Sequence, residues 1–376
     1  MSRMADLGAR LQSGETSVNI IGRRKQFFLA SLALVLVSML GLGVRHLNLG
    51  VEFQGGAVFQ FKAAGISVAD TRDAVTSAGI TDPVVQTVGT NGISVETGKL
   101  TPQQVIDVRA ALSKKAGVPV DEITDQVVGA SWGSDVSSKA LESLIIFLAL
   151  LAVYLAMVFE WKLAAGALVA LVHDVAITTG IYAIVGFTVS PATVIGLLTI
   201  LGYSLYDTVV VYDKLRENTA DLSGNRYTYS GAANLAINQT LVRSINTSLI
   251  ALLPVAGMLF IGAGLLGAGV LKDLALVLFV GMAIGAYSSI FIATPLAAAL
   301  KEREPEMQAL AKRVAQRQAA IRKAATGTGE GGFEATGAGG GELAPAAALR
   351  DGAAPGERVQ PKRGTPRAAR RSEKKG

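Results

Sequence analysis

Six blocks of apolar residues constrain the fold of this chain more than any other feature of its sequence. They cover residues 27–44, 141–159, 163–185, 191–212, 241–265 and 274–300. A helix rises about 1.5 Å per residue, so a block of about 20 residues crosses the roughly 30 Å hydrocarbon core of a bilayer. Charged residues make up only 17% of the chain, whereas soluble domains contain about 25%. The sequence therefore predicts an integral membrane protein with six transmembrane helices.

The first block follows a positively charged segment, as the apolar core of a signal peptide does. Arg23, Arg24 and Lys25 precede it. No small-residue cleavage site follows the block, and its roughly 18 residues span about 27 Å as a helix. We therefore predict a retained first transmembrane helix at 27–44, preceded by a cytoplasmic N-terminal segment at 1–26.

Basic residues between the blocks predict the orientation of the chain. If the helices alternate in direction, these residues fall on one side of the membrane, which the positive-inside rule makes the cytoplasm. They are Arg23, Arg24, Lys25, Lys162, Lys214, Arg216, Arg226, Lys301 and Arg303. Both termini are then expected in the cytoplasm, and residues 45–138 on the other side.

Residues 45–138 have the composition of a folded, moderately polar domain. Alternating apolar residues predict strands, and helical spacing behind the capping residues Ser67 and Thr101 predicts two helices. The predicted elements are 57–62, 67–79, 83–88, 93–96, 101–116 and 124–130, with a turn at Asn91-Gly92. The order β-α-β-β-α-β is that of a ferredoxin-like α+β domain. We expect such a domain outside the cytoplasm, between the first and second transmembrane helices.

The basic charge of the chain belongs to its C-terminal part. From Lys301 onwards there are 16 Lys and Arg against 9 Asp and Glu, whereas the whole chain has a net charge of +6. Behind the helices at 139–300 we predict a charged cytoplasmic helix at 301–325 and a disordered basic Gly/Ala/Pro-rich tail at 326–376. The tail is either a solvated segment that fixes topology or a contact for anionic membrane lipid or ribosomal RNA. No specific nucleic acid partner is expected.

Several kinds of enzyme are excluded by what the sequence lacks. There is no cysteine, and the two histidines, His46 and His173, are too few for a histidine metal centre. The sequence has no phosphate-binding Walker loop, no nucleophile elbow and no zinc-ligand spacing. We therefore expect no catalytic residues, no cofactor and no metal. Helices that contain titratable groups, together with an external domain, are typical of a transporter, and we expect it to be driven by protons.

Asp207 is the ionisable residue that points most directly to function. It lies in the fourth apolar block, about 9 Å deeper along a helix than Asp213, which together with Arg216 is expected near the interface. Burial penalises the charged form of a carboxyl and a nearby cation favours it, so such a group can take up and release a proton. Arg243, which the apolar blocks place at the start of the fifth helix, is the expected cation. The pair is either a proton-binding site or a structural ion pair.

Asp174 is a second buried carboxyl candidate, in the third helix. It is expected either to relay protons or to make structural hydrogen bonds with Thr178 or Thr179. Its neighbour His173 is either a packing residue or a part of such a relay. In the sixth helix, small residues at Gly281 and Gly285 have the four-residue spacing that lets membrane helices approach closely, and Ser288 and Ser289 follow them.

Four segments together resemble the SecF family, a part of the SecD/SecF proteins in the RND superfamily. Residues 48–56 (Asn48-Leu-Gly-Val-Glu-Phe-Gln-Gly-Gly56) are similar to the family's G-(I/V)-D-F-x-G-G motif. Residues 202–218 resemble its fourth-helix signature, G-Y-S-x-x-D-(S/T)-(I/V)-V-(I/V)-x-D-R-(I/V)-R-E-N, and residues 238–248 its fifth-helix segment R-(S/T)-x-x-T-(S/T). His173-Asp174 also matches. The matching residues of interest are Glu52, Gly55, Gly56, Tyr203, Ser204, Thr208, Asp213, Arg216, Glu217, Asn218, Thr247 and Ser248.

This resemblance implies a subunit of the bacterial Sec protein translocase in the cytoplasmic (inner) membrane. Such a subunit pairs with SecD, attaches to the SecYEG channel, and uses the proton motive force to complete export of unfolded polypeptides after SecA-driven translocation. YajC is a further candidate partner. The family's proton-linked Asp and Arg correspond to Asp207 and Arg243, and we add Asp174 as a third candidate. The alternatives are an RND-type exporter of small molecules or lipids, and a scaffold in which Asp207 and Arg243 are purely structural.

Two positions depart from the family pattern. Glu52 replaces an Asp, which keeps the charge but lengthens the side chain. Lys214 replaces an Arg, which removes the ability to bind a carboxylate through two nitrogens. The long basic tail is not part of the general pattern.

Overall fold

The computed structural model describes residues 17–220, 227–265 and 269–327. Its helices are α1 (Arg24–Arg45), α2 (Val51–Gln54), α3 (Val68–Ser77), α4 (Pro102–Ala116), α5 (Ala130–Val158), α6 (Trp161–Val185), α7 (Pro191–Thr219), α8 (Tyr229–Gly257), α9 (Gly269–Ser288), α10 (Thr294–Lys301) and α11 (Pro305–Gly327). Its strands are β1 (Asn48–Leu49), β2 (Gly56–Lys62), β3 (Val84–Val88), β4 (Gly92–Thr97), β5 (Thr124–Val128) and β6 (Thr188–Val189). π-helical turns extend α8 through Met258–Leu265 and join α9 to α10 through Ser289–Ala293.

Six helices of this described part are long and apolar enough to cross a membrane, as predicted. They are α1, α5, α6, α7, α8 with its π turn, and α9 joined to α10. The third, fourth and sixth of these are about half buried in the chain and form the centre of the bundle, whereas the first, second and fifth are mostly exposed. The chain is therefore a polytopic helical membrane protein. The predicted tail at 326–376 lies outside the described residues except for its first two.

The fifth membrane helix begins much earlier than its apolar block suggests. It starts at Tyr229, behind a cap in which the Thr228 hydroxyl accepts a backbone N–H. Its first turns are polar because they bind the segment before α1. Asn238 accepts the Val18 N–H at 2.7 Å and donates to the Val18 carbonyl at 3.0 Å. Arg243 is consequently not at the start of the helix, as expected from the sequence, but about 21 Å along it.

The domain between α1 and α5 contains the predicted elements in the predicted order. Its antiparallel sheet has the strand order β3-β4-β2-β5. One face of the sheet, with Phe59 and Val95 fully buried, packs on α3 and α4 through Val75 and Val108. The β3–β4 turn lies at 89–91 rather than at Asn91-Gly92, because glycine 89 supplies the left-handed conformation, with φ of 68°.

The glycine pair that follows α2 is required by the backbone at the junction between this domain and the membrane helices. Gly55 has φ of 78° and ends α2, and Gly56 has φ of 154°. A Cβ on Gly56 would lie 2.3 Å from the Thr97 carbonyl oxygen, so any larger residue would clash with β4. Next to it, β1 pairs in parallel with β6 of the α6–α7 connection. The domain is thus tied directly to the bundle end at which α7 begins, here called the domain end.

Close helix packing in the centre of the bundle confirms the prediction made from the small residues of the sixth membrane helix, which is α9 joined to α10. A Cβ on Gly281 would lie 2.0 Å from Ile200 Cδ1, and one on Gly285 would lie 2.9 Å from Ser204 Cβ. The glycines therefore allow α9 and α7 to touch along their length. Ser204 is one of the residues that carry the polar chemistry of the bundle.

Candidate functional site

Asp207 lies deep in the bundle, on the face of α7 that packs against α8. It is sixteen residues after the first residue of α7 and twelve before the last, and it is 4% exposed. Its Oδ2 atom is buried without a hydrogen-bond partner in the described part of the chain. A carboxyl in this setting is unstable as a permanent anion, since lipid and apolar side chains do not solvate it. The geometry is that of a group that can change its protonation state.

The direct ion pair between Asp207 and Arg243 that was expected from the sequence is not formed between these two described residues. Arg243 is exposed on the outer face of α8, whereas the adjacent Ser244 is 1% exposed and faces the Asp207 carboxylate. Successive helical residues point about 100° apart, so only one of the two can face α7. The Arg243 charge still acts on Asp207 through space.

Three hydroxyl groups accompany Asp207 between α7 and α8. They belong to Tyr203, Ser244 and Ser248, and each oxygen is buried without a hydrogen-bond partner among the described residues. Tyr203 faces Ser248, one helical turn from the Asp207–Ser244 level. Sequence reasoning had given Tyr203 and Ser248 only a motif role and had not singled out Ser244 as a separate candidate.

Asp174, in contrast, has a full set of partners. Its Oδ2 accepts hydrogen bonds from Ser204 at 2.6 Å and from Ser288 at 2.8 Å, and its Oδ1 lies 3.2 Å from His173 Nδ1. The carboxylate is 1% exposed. It joins α6, α7 and α9 at one point, which is a geometry suited to holding three helices together.

The partners proposed for Asp174 from the sequence were wrong. Thr179 donates to the Val175 carbonyl of its own helix at 2.7 Å, and the Thr178 hydroxyl has no partner in the described residues. Ser204 of α7 and Ser288 of α9 supply the hydrogen bonds instead. The position of Ser288 in an otherwise apolar helix was the available signal, although it had been interpreted only as a packing feature.

A second set of hydroxyls extends the hydrogen bonds around Asp174 along α7. Thr208 donates to Ser289 Oγ at 2.9 Å, and Ser289 donates to the Ser204 carbonyl at 3.0 Å. One turn further, the Tyr212 hydroxyl donates to the Ala293 carbonyl at 3.1 Å, within the π turn of the sixth helix. Hydrogen bonds from α7 thus reach carbonyl and hydroxyl groups at both ends of this π turn.

His173 contacts Asp174 through Nδ1, and the rest of its ring is packed. Its ring stacks on Tyr287 with centroids 6.3 Å apart, and its Nε2 has no partner among the described residues. Tyr287 in turn is hydrogen-bonded to Ser31 of α1 at 3.0 Å. These contacts anchor the first membrane helix to the third and sixth.

The other motif residues lie at the two ends of the bundle. At the end of α7, Lys214 pairs with Glu217 at 2.7 Å and Asn218 donates to Gln239 at 2.9 Å, while Asp213 and Arg216 are exposed. Near the domain end, Glu52 and the glycine pair belong to α2 and its junction. Thr247 lies in the middle of α8, where it is half-buried. None of these described residues at the two ends contacts Asp207.

Ion pairs join the helix ends opposite the domain. Lys162 at the start of α6 binds Glu304 at 2.7 Å, and Arg24 binds Glu302 at 2.7 Å. Lys301 also contacts Glu304, at 3.3 Å. The Lys162 ammonium holds the pKa of the Glu304 carboxyl below its ordinary value. Several basic residues that indicated topology therefore also fasten α1 and α6 to the turn between α10 and α11.

An acidic cavity lies between the sheet and the bundle at the domain end. It has a volume of about 270 Å³, and Glu52, Glu96, Lys272 and Asp273 are among its lining residues. Burial, followed by repulsion from Glu52 and Asp273, raises the pKa of the Glu96 carboxyl. Within the described residues no group of three or more His, Asp or Glu side chains is arranged to hold a metal ion.

Comparison with known proteins identifies relatives over most of the chain. The family "Protein export membrane protein SecD/SecF, C-terminal" matches residues 108–303, and the "SecD/SecF GG Motif" matches residues 40–64. Protein translocase subunit SecF of Streptomyces coelicolor is 50% identical over 341 residues, covering 89% of this chain and 91% of that protein. SecF of Mycobacterium tuberculosis is 40% identical, covering 82% of this chain and 73% of that protein.

A solved structure has a similar fold. It is the crystal structure of SecDF, a translocon-associated membrane protein from Thermus thermophilus, with a TM-score of 0.69 and 30% identity. The match covers 77% of this chain and 39% of that larger one. The sequence and structural relationships agree, so the chain belongs to the SecD/SecF family of protein export membrane proteins.

Proposed function

We propose that this chain is a SecF-type subunit of the Sec protein translocase. In this function it acts with a SecD-like partner and uses the proton motive force to complete export of unfolded polypeptides after SecA-driven translocation. Asp207 carries the proposal, because it is a buried carboxyl with an unpartnered oxygen in the middle of a membrane helix. The names of the relatives support the translocase and not the small-molecule exporter.

A SecD-like partner is supported both by the SecDF relatives and by the exposed surface of α8. Arg243 and Asn246 are exposed about halfway along this helix. A charge in this position is unfavourable against lipid tails, so it requires protein or water around it. In Thermus thermophilus the single SecDF chain is much longer than this one. We infer that a separate SecD-like chain covers this face.

The proposed cycle begins with a proton that reaches Asp207 from outside the cytoplasm. Protonation removes the negative charge on which Arg243 acts, and so lets the fourth to sixth membrane helices repack. The β1–β6 pair and α2 transmit this motion to the external domain, which holds or releases the emerging polypeptide. The membrane potential supplies about 2.3 kcal/mol per charge per 100 mV, enough to bias a two-state element tens-fold.

The remaining assignments follow from this function. We propose a bacterial inner-membrane location with both termini in the cytoplasm, contact with SecYEG, and YajC as a further partner. The external domain is proposed to be ferredoxin-like, which its β-α-β-β-α-β order and its strand order support. We assign the chain no catalytic step of its own.

Pulse-chase secretion with Asp207→Asn as the only copy tests the proposal. We expect exported precursors to accumulate while the variant still co-purifies with its SecD-like partner. Asp213→Asn is the matched control, since it removes an exposed carboxylate six residues further along the same helix. Normal secretion in Asp207→Asn, with accumulation of a small molecule instead, would establish the exporter alternative.

A further inference from the structure

Residues 17–21, here called the strap, are bound to the first turns of α8 by two asparagines. Asn238 accepts the Val18 N–H at 2.7 Å and donates to the Val18 carbonyl at 3.0 Å. One helical turn earlier, Asn234 accepts the Ile20 N–H at 2.9 Å, at the start of the helical turn that leads into α1. These contacts to Val18 and Ile20 are made with backbone groups, so they fix the path of the strap rather than particular side chains.

Apolar contacts hold the strap in the same place. Ile20 and Ile21 are 2% and 4% exposed. They belong to the buried cluster that also contains Ala233 and Ile237 of α8. Removing the strap from α8 would expose both isoleucines and leave the asparagine side chains without these partners, and each of these changes is unfavourable.

Glu302, directly after α10, adds a polar connection between the same helices. It binds Arg24 at the start of α1 at 2.7 Å, and it accepts a hydrogen bond from Ser230 in the first turn of α8. The start of α1, the start of α8 and the end of the sixth membrane helix are therefore joined at the bundle end opposite the domain.

Burial within the chain is concentrated in the part of α8 that the strap holds. The structure describes α8 throughout, and ten of its side chains are buried, of which seven lie at 229–240. Beyond this part, Ser244, Ser248 and Val255 are the buried ones. Near the domain end, Pro254 interrupts the helical hydrogen bonds and a π-helical turn follows. One end of α8 is thus held firmly, and the other is packed loosely within this chain.

We propose that the strap is the pivot of α8. The helix is held at residues 229–240, and its movement in the transport cycle increases from there toward the domain end. The inference rests on the proposed function, in which the fourth to sixth membrane helices repack. Ser244, which faces Asp207, lies about 6 Å beyond the held part, whereas Gly257 lies about 26 Å beyond it. A displacement beside Asp207 is therefore enlarged about fourfold at the end of the helix, if this part moves as a rigid body.

Hydrogen exchange of the complex with its partner in nanodiscs tests the strap independently of transport. We expect Asn238→Ala to make the amides at 233–243 exchange at least about tenfold faster, because the loss of each hydrogen bond favours local opening. Asn238→Asp keeps the acceptor for the Val18 N–H and should have a smaller effect. Val18→Ala is the matched control, since it keeps the backbone groups and its side chain is 51% exposed. Unchanged exchange in Asn238→Ala would overturn the strap as a fixed point.

Two cross-links test where the movement occurs, since the chain has no native cysteine. Ser230→Cys with Glu302→Cys joins the held end of α8 to the sixth membrane helix, at a contact that is already formed. Phe260→Cys with Phe279→Cys joins the π turn to α9, where the two rings are 6.2 Å apart. A short, cleavable bifunctional thiol reagent closes each pair, and each pair is compared before and after cleavage.

We expect the cross-link at 260 and 279 to abolish proton-driven translocation in membrane vesicles until it is cleaved. The cross-link at 230 and 302 should leave translocation unchanged. Equal loss with both cross-links, or no loss with either, overturns the pivot. Asp207→Asn is measured alongside, and normal translocation in this variant overturns the proposed function. The exchange result for the strap does not depend on Asp207, so the two failures can be told apart.

Discussion

Substitution of Asp174 by Asn separates a structural carboxylate from a proton relay. The carboxylate receives three hydrogen-bonding groups, at 2.6, 2.8 and 3.2 Å, from Ser204, Ser288 and His173. Asn has nearly the same size, but only one of its two terminal atoms accepts hydrogen bonds. If the NH2 group replaces the oxygen that binds the two serines, both hydroxyls lose their acceptor. If the amide flips, only the His173 contact is lost.

The expected loss of stability can be bounded from these contacts. A hydrogen bond to a charged group contributes about 1.5–3 kcal/mol in soluble proteins, whereas polar contacts between membrane helices average about 0.6 kcal/mol. The second figure applies better here, because the contacts join membrane helices. Loss of the His173 contact alone then costs about 0.6 kcal/mol, and loss of the two serine contacts destabilises the bundle by about 1 kcal/mol. Ser204→Ala removes one donor and leaves Ser288 in place, so about half of this loss is expected.

Thermal unfolding of the purified complex and proton flux in proteoliposomes are measured on the same preparations. We expect Asp174→Asn to unfold at a lower temperature than the wild type, Ser204→Ala to lie between them, and flux to persist below the unfolding transition. Asp213→Asn, an exposed carboxylate, controls for loss of charge. A fully stable Asp174→Asn complex without flux would refute the structural role and make Asp174 a relay.

Three further predictions concern packing and charge. Gly281→Leu should destabilise the bundle by about 1–3 kcal/mol through overpacking against Ile200. Gly281→Ala should have a smaller effect in the same thermal unfolding assay. Equal stability of both variants and the wild type would contradict the close contact. Glu96→Gln should leave the free energy of unfolding unchanged below the ordinary carboxyl pKa of 4.5 and increase it at neutral pH. The reason is that the raised pKa of Glu96 means that its ionised form destabilises the folded protein. A pH-independent effect in thermal unfolding would rule this out. Lys162→Met should lower stability by up to about 1 kcal/mol at neutral pH and have little effect in acid. The lowered pKa of Glu304 means that its ion pair with Lys162 stabilises the fold, and that this effect is lost as the pH falls. An equal loss at both pH values would instead indicate a packing defect.

The sequence predicted the features that repeat along the chain. Membrane helices follow from long apolar blocks. The elements of the domain between α1 and α5 follow from strand alternation and from caps such as Ser67 and Thr101, which both accept backbone N–H groups. The glycines of the sixth helix predicted close packing. Each of these signals is local, so it can be detected without knowing which helices are neighbours.

The detailed partners of the buried polar groups were not predictable in this way. Which side of a helix faces which neighbour depends on tertiary packing, and an error of one residue rotates a side chain by about 100°. This is why Arg243 was expected to face Asp207, although Ser244 occupies that position. The polar first turns of α8 were missed for a related reason, since only the bound segment around Val18 makes their amides favourable there.

The two buried carboxyls differ in their surroundings, and we propose that they have different roles. Asp174 is bound by hydroxyls from two other helices, so a change in its charge would disturb three helices at once. Asp207, three residues beyond Ser204 on the same helix, faces hydroxyls that do not close onto it. Since α7 lies between the two environments, the proposed cycle keeps one of its sides fixed on α6 and α9 while the other responds to a proton. In that cycle the helix transmits the movement to the domain end, where the β1–β6 pair connects the bundle to the domain between α1 and α5.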